Sequence, residues 1–222
     1  MKALVFDAYG TLFDVFSVTS LCEELFPGHG KQLAEMWRTK QLEYSWLRSL
    51  MGRYRDFWAV TEDALVYSAN RLKLDLTVTK RGQLMASYLD LAAFPDVKPG
   101  LEELKRIGIR LAILSNGETK MLKAAVQSAG IHELIDAIFS VDTVKIFKPC
   151  PRVYNQLQDA LKIDKAEIGF VSSNNWDVNG AGSAGLTTFW IQRSSLDIPE
   201  ELSYLPTHLV TAITDLCPLI SQ

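Results

Sequence analysis

An α/β architecture is what this sequence predicts: a parallel sheet with helices on both faces, interrupted after its first strand by a purely helical block. Short apolar runs at 3–6, 109–114, 138–140, 168–171 and 188–191 alternate with stretches of helical character, as successive strand–helix–strand units do. These runs are largely continuous in apolar character rather than alternating, which fits strands buried on both faces. Between 15 and 95 the pattern is helical throughout, and no convincing strand interrupts it.

The first run, Ala3-Leu4-Val5-Phe6, stops at Asp7. A carboxylate at the end of a buried strand is costly to place unless something pairs with it. Gly10 lets the chain turn sharply, because glycine takes positive φ without strain. Thr11 is able to bond back to the backbone of that turn. Candidate helices follow at 17–26, ended by Pro27-Gly28, at 31–51, stopped by Gly52, and at 54–74 and 79–93. The block carries Trp37, Tyr44, Trp46, Tyr54, Phe57 and Trp58 and reads as a small helical bundle. Pro95 to Pro99 marks the return. The expected division is a core of 1–14 with 96–222 and an inserted helical unit of 15–95.

Within the core, a helix at 101–107 ends at Gly108, its C-cap. The second strand then runs to Ser115-Asn116-Gly117. A helix at 119–129 and the third strand lead to Lys148-Pro149. Pro151 suits the first turn of a helix reaching Leu161. The fourth strand ends at Ser172-Ser173-Asn174. A Gly/Ala-rich helix at 177–184, the fifth strand and a helix near 213–220 complete the chain.

Composition narrows the function classes. The chain has 222 residues, 48% hydrophobic and 22% charged, enough apolar material for a sizeable core. A net charge of −3 gives no reason to expect nucleic acid or an anionic membrane surface as partner. No apolar run approaches the roughly 20 residues of a membrane helix. Met1-Lys2-Ala3-Leu4 leads directly into the first strand, without a signal peptide's apolar region. Cys22, Cys150 and Cys217 are widely spaced and odd in number, neither a disulfide framework nor a zinc pattern. A reduced, cytoplasmic setting is expected.

In parallel sheets of this kind the ligand sits beyond the carboxyl ends of the strands. There this sequence gathers Asp7, Ser115-Asn116 and Ser172-Ser173-Asn174, with Lys148 in a loop nearby. Asp7 is the candidate nucleophile, since a carboxylate attacking carbon forms an ester intermediate. Lys148 is suited to hold one of its oxygens, keep it ionised and aim the other; the plain alternative is a solvated loop lysine. Asp177 is suited to activate water, or to cap a helix. Ser115, Asn116, Ser172 and Asn174 are short neutral donors, or caps. His29, His132 and His208 lie at no strand end, which argues against a Ser–His–Asp hydrolase. Cys150 has no histidine placed to activate it.

Four stretches together, Asp7-Ala8-Tyr9-Gly10-Thr11-Leu12-Phe13-Asp14, Leu114-Ser115-Asn116-Gly117, Phe147-Lys148-Pro149 and Ser172-Ser173-Asn174-Asn175-Trp176-Asp177, resemble the haloacid dehalogenase superfamily, and within it the L-2-haloacid dehalogenases. The likeness extends to the insertion at Met36-Trp37-Arg38-Thr39-Lys40-Gln41-Leu42-Glu43-Tyr44. It implies a Rossmann-like core with a helical cap and no cofactor or metal. The implied reaction is displacement of halide from the α-carbon of a 2-haloalkanoic acid by Asp7, with inversion, followed by hydrolysis of the ester. By position, Asp177 serves the hydrolytic step and Lys148 sits beside Asp7. Thr11, Ser115, Tyr154, Ser172 and Asn174 complete a polar shell. Arg38 and Asn116 cradle halide, while Ser115 and the backbone at Ala8 and Tyr9 bind the substrate carboxylate. Leu42, Phe57 and Trp176 wall the apolar side. From the residues alone, Arg38 reads equally as a helix-surface charge and those three as ordinary packing. The resemblance also implies a homodimer.

A phosphatase of the same superfamily is the alternative. Such enzymes carry a second Asp two places after the nucleophile, to protonate an alkoxide and help hold Mg²⁺; here that place is Tyr9. Ser172 and Ser173 stand where an acidic metal ligand is typical. A non-catalytic binding relative is expected to lose Asp7, Lys148 or Asp177, and all three are present.

Overall fold

The computed structural model describes residues 1–220; positions 221 and 222 of the expected core lie outside them. Its centre is a parallel sheet of β1 (Ala3–Phe6), β2 (Arg110–Ser115), β3 (Ala137–Ser140), β4 (Ile168–Ser172), β5 (Thr187–Ile191) and β6 (His208–Val210). Their order across the sheet is β3-β2-β1-β4-β5-β6, and every neighbouring pair is parallel. β1 is an inner strand between β2 and β4, and its four residues are fully buried. That explains its unbroken apolar run, since both of its faces are covered.

Four helices follow β1 and form the helical insertion: α1 (Thr19–Leu25), α2 (Gly30–Leu50), α3 (Phe57–Arg71) and α4 (Val78–Ser87). The main packing within this insertion is α2 on α3. Trp37 Nε1 donates to the Thr61 carbonyl at 2.8 Å and Gln41 to the Thr61 hydroxyl at 2.7 Å, so the indole and amide are both satisfied in the buried seam. Asp56 and Thr77 cap α3 and α4, each accepting a backbone N–H of the first turn. The buried apolar side chains of the insertion and of the sheet form one continuous cluster.

The remaining helices are α5 (Val97–Arg106), α6 (Thr119–Ser128), α7 (Pro151–Leu161), α8 (Asn175–Ser183) and α9 (Leu216–Ile220). Three sequence expectations are corrected. The helix expected to reach 93 stops at Ser87, because the following residues run back against the loop after β1: Asp14 N–H donates to Ala92 O at 2.8 Å and Phe94 N–H to Leu12 O at 3.1 Å. A sixth strand was missed at His208–Val210, too short and too polar to stand out. The closing helix begins with a 3₁₀ turn, Ile213–Asp215, in which the Asp215 carboxylate gathers the Thr211 and Ala212 N–H groups. Among the described residues, no helix is long and apolar enough to cross a membrane.

Candidate active site

The sheet register brings the polar strand ends together. Phe6 pairs with Ile113 on one side and Val171 on the other, so Asp7 emerges level with the ends of β2 and β4. Its own N–H is bound by Val171 O at 2.9 Å. The chain then folds into a tight loop in which Leu12 and Phe13 both donate to Ala8 O. Gly10 holds φ +91° there, as the sequence leads one to expect.

The Asp7 carboxylate is bound through both oxygens. Lys148 Nζ lies 3.0 Å from Oδ1, while Oδ2 accepts from Asn174 Nδ2 at 2.8 Å and from the Thr11 hydroxyl at 3.1 Å. Lys148 thus holds one oxygen, and the second is fixed by Thr11 and Asn174 rather than aimed by Lys148 alone. Lys148 also reaches Asp177 Oδ2 at 2.8 Å, and the Tyr154 hydroxyl donates to Asp177 Oδ1 at 2.6 Å. Lys148 is 1% exposed and is no solvated loop lysine. Burial by itself lowers the pKa of its ammonium, but attraction to Asp177 and Asp7 outweighs it and the net shift is upward. Burial pushes the Asp177 carboxyl up to about 6 and the Asp7 charge adds to this, against the pull of Lys148 and Tyr154. Burial, then Asp177, raises the Tyr154 phenol, which stays protonated as a donor.

None of these polar residues is spent on capping. Asn174 occupies the N-cap position of α8 yet makes no side-chain cap bond; its amide goes to Asp7 and to Tyr9 O instead. Asp177 lies in the first turn of that helix with its carboxylate turned to Lys148 and Tyr154. Ser172 accepts the Asn174 N–H at 3.1 Å and lies 3.5 Å from the Thr11 hydroxyl, so it shapes the loop. Gly180 makes room for Tyr154: a Cβ there would come within 2.7 Å of the tyrosine hydroxyl.

Asp7 opens on a small pocket lined by Tyr9, Arg38, Leu42, Phe57, Ser115, Asn116, Asn174 and Trp176. Leu42, Phe57 and Trp176 thus stand on its wall, and Arg38 reaches in from α2. The guanidinium donates to Gln41 Oε1 at 2.7 Å and Tyr9 O at 3.2 Å. Burial lowers its pKa, opposed by the charges of Asp7 and Asp177, and a guanidinium stays charged at any working pH. Asn116 Oδ1 accepts the Lys148 N–H at 3.0 Å, which leaves its NH₂ as an uncommitted donor among the described residues. Ser115 Oγ accepts the Gly117 N–H at 3.1 Å and keeps its own proton to donate. Among the described residues, the backbone N–H groups of Ala8 and Tyr9 make no bond within the protein. Thr11, Ser172 and Tyr154 are not part of its lining, and the Ala8 side chain is buried outside it, so that only its backbone is in question there. Gln41 was not singled out from the sequence; its place three residues after Arg38 on one helix face was the available signal.

The arrangement is a carboxylate held through both oxygens at the floor of a small pocket, with a cation and neutral donors around it and a second carboxylate 2.8 Å beyond the lysine. It suits nucleophilic attack on carbon followed by hydrolysis. The model of the haloacid dehalogenase-like hydrolases matches residues 1–185. An (S)-2-haloacid dehalogenase of Pseudomonas sp. strain YL is 47% identical over 213 residues, 96% of this chain and 91% of that protein. The haloacetate dehalogenase H-2 of Moraxella sp. strain B is 41% identical over 221 residues, 100% and 98% of the two chains. The L-2-haloacid dehalogenase of Xanthobacter autotrophicus with chloropropionic acid covalently bound superposes with a TM-score of 0.94 at 39% identity, covering 100% of this chain and 98% of that one. The chain belongs to the haloacid dehalogenase-like hydrolases and, within them, to the L-2-haloacid dehalogenases.

Proposed function

We propose that this enzyme hydrolyses short-chain (S)-2-haloalkanoic acids to 2-hydroxy acids with inversion, through an ester on Asp7. The observation that carries the reading is the Asp7 carboxylate, tied at both oxygens by Lys148, Thr11 and Asn174 at the floor of the pocket. Substrate enters with its carboxylate on the Ser115 hydroxyl and the N–H groups of Ala8 and Tyr9. Its α-carbon then faces Asp7, and its halogen lies toward Arg38 and Asn116. Leu42, Phe57 and Trp176 pack the alkyl group and limit its size. An Asp7 oxygen forms the C–O bond as the C–X bond breaks, and the halide takes the electron pair. Arg38 and the Asn116 amide stabilise its negative charge as it develops. Halide is a weak base and needs no proton, so Tyr9 in place of a second Asp is no handicap.

Asp177 takes a proton from water as that water attacks the carboxyl carbon of Asp7; the ester C–O bond breaks, and the proton passes to the departing oxygen of the hydroxy acid. A base near neutral suits this step, and Asp177 is shifted in that direction. Lys148 lies between the two carboxylates at 3.0 and 2.8 Å, which supports a route without a divalent ion: a cation on Asp7 would occupy an oxygen that must attack carbon. The reading includes a division into a core of 1–14 with 96–222 and a cap of 15–95, the cap contributing Arg38, Leu42 and Phe57. A homodimer is part of it, supported by the exposed Leu47, Leu50 and Met51 at the end of α2. So is a reducing, cytoplasmic setting, supported by the free thiols of Cys22 and Cys150.

The test is halide release from (S)- and (R)-2-chloropropionate, with a phosphate ester in parallel. Release from the (S)-acid with formation of (R)-lactate is expected. Phosphate release without halide release would replace this reading with the phosphatase alternative.

A further inference from the structure

Arg193 follows the end of β5, outside every motif that marks the site. It is nevertheless bonded to the nucleophile's own loop. Its Nε and Nη2 donate to the Thr11 carbonyl at 3.1 and 2.6 Å, and its Nη1 donates to Asp96 Oδ1 at 2.7 Å. The guanidinium carbon lies 4.1 Å from the centre of the Phe94 ring. Its side chain is 12% exposed. Burial lowers its pKa, and Asp96 opposes that. All three guanidinium nitrogens are thus engaged by the protein, and Arg193 is not part of the lining of the pocket on Asp7.

The place of these contacts is what matters. Thr11 is held from three sides: its carbonyl by Arg193, its hydroxyl oxygen by the Ser173 N–H at 2.9 Å, and its hydroxyl proton by Asp7. Asp96 lies where the chain returns from the helical insertion, and its other oxygen accepts the Ile213 N–H at 2.7 Å. A planar guanidinium spans these two acceptors in a fixed geometry that an ammonium does not reproduce. The geometry points to Arg193 as a positioning residue, which locks the loop carrying Thr11 to the segment returning from the insertion and thereby sets the aim of Asp7. This inference rests on the dehalogenase reading for its kinetic consequence, not for the clamp itself.

If Arg193 acts through Thr11, its loss matters only while the Thr11 hydroxyl is present. Single-turnover ester formation from (S)-2-chloropropionate is therefore measured in Arg193→Ala, Thr11→Val and the double variant, with amide exchange at Leu12 and Phe13 alongside. Arg193→Ala is expected to slow ester formation roughly ten- to hundred-fold, as small misplacements of a reacting group do. KM should stay within about two-fold, since the residue touches no substrate. In the Thr11→Val background, removing Arg193 should cost little more, because coupled residues are not additive. Arg193→Lys, which keeps the charge but not the fork, carries the same cycle should the alanine variant not fold. The same fold-loss in both backgrounds, or unchanged ester formation, would overturn the inference. So would unaltered exchange at Leu12 and Phe13, and that readout decides the clamp even if the wild type released no halide, a result that would instead overturn the dehalogenase reading.

Discussion

Replacing Lys148 by Met removes the one cation that separates two buried carboxylates. The ammonium lies 3.0 Å from Asp7 and 2.8 Å from Asp177, at 1% exposure. At an effective dielectric near 20, each contact represents about 5–6 kcal/mol of Coulomb attraction before desolvation. Removing one partner of such a buried set costs roughly 3–5 kcal/mol net, because the charge left behind has no counterion. Here two like charges are left, so the Asp177 carboxyl, already raised to about 6 beside the lysine, should be raised further. Raised carboxylate pKa values make stability fall as pH climbs past the unfolded value. The Lys148→Met deficit should therefore be about 3–5 kcal/mol at pH 8 and much smaller at pH 5, where one carboxyl is neutral. Urea unfolding of both proteins at the two pH values measures this. Ester formation should fall by roughly 10²-fold or more, as on losing a preorganised electrostatic partner. Wild-type stability at pH 8, or a deficit that grows on acidification, would refute the view that Lys148 is held as a cation between two ionised groups.

Asp177→Asn should leave ester formation running and block its hydrolysis, so that mass spectrometry finds Asp7 alkylated after substrate is mixed in. In the wild type the hydrolytic step should weaken below about pH 6, where Asp177 takes up a proton; an unchanged hydrolysis rate down to pH 4 would assign the base elsewhere. Arg38→Ala should lose roughly 10²-fold or more in turnover, read by halide release, with circular dichroism confirming that it folds; near-normal turnover would return Arg38 to the helix surface. Dehalogenation should survive exhaustive EDTA treatment and gain nothing from added Mg²⁺. Loss on chelation with recovery on Mg²⁺ would reopen the phosphatase reading.

How much of this was legible in the chain depends on what kind of signal each part leaves. The strands were legible because burial on both faces writes a continuous apolar run, as in Ala3–Phe6. β6 was not, because three edge residues with His208 and an exposed Leu209 carry no such run. The convergence of Asp7, Ser115, Ser172 and Asn174 followed from parallel topology alone. The choice between chemistry and capping did not. Asn174, Asp177 and Lys148 each had a plain local role open to them, and only long-range distances settle where their side chains go. The contributions of Arg38, Leu42 and Phe57 were visible only through likeness to a family, since nothing local to α2 or α3 says which strand ends those helices face. Arg193 left no signal, because its acceptors are a backbone carbonyl and a residue 97 positions away.

The central claim is that Asp7 is the atom donor in the first step. A single turnover in ¹⁸O-water, with enzyme in excess over (S)-2-chloropropionate, tests it most directly. The account predicts that the first hydroxy acid released carries unlabelled oxygen from Asp7, while the label appears in the Asp7 carboxylate, located by peptide mass spectrometry. Solvent ¹⁸O in that first product, with Asp7 unlabelled, would mean that water attacks the α-carbon directly and would contradict it.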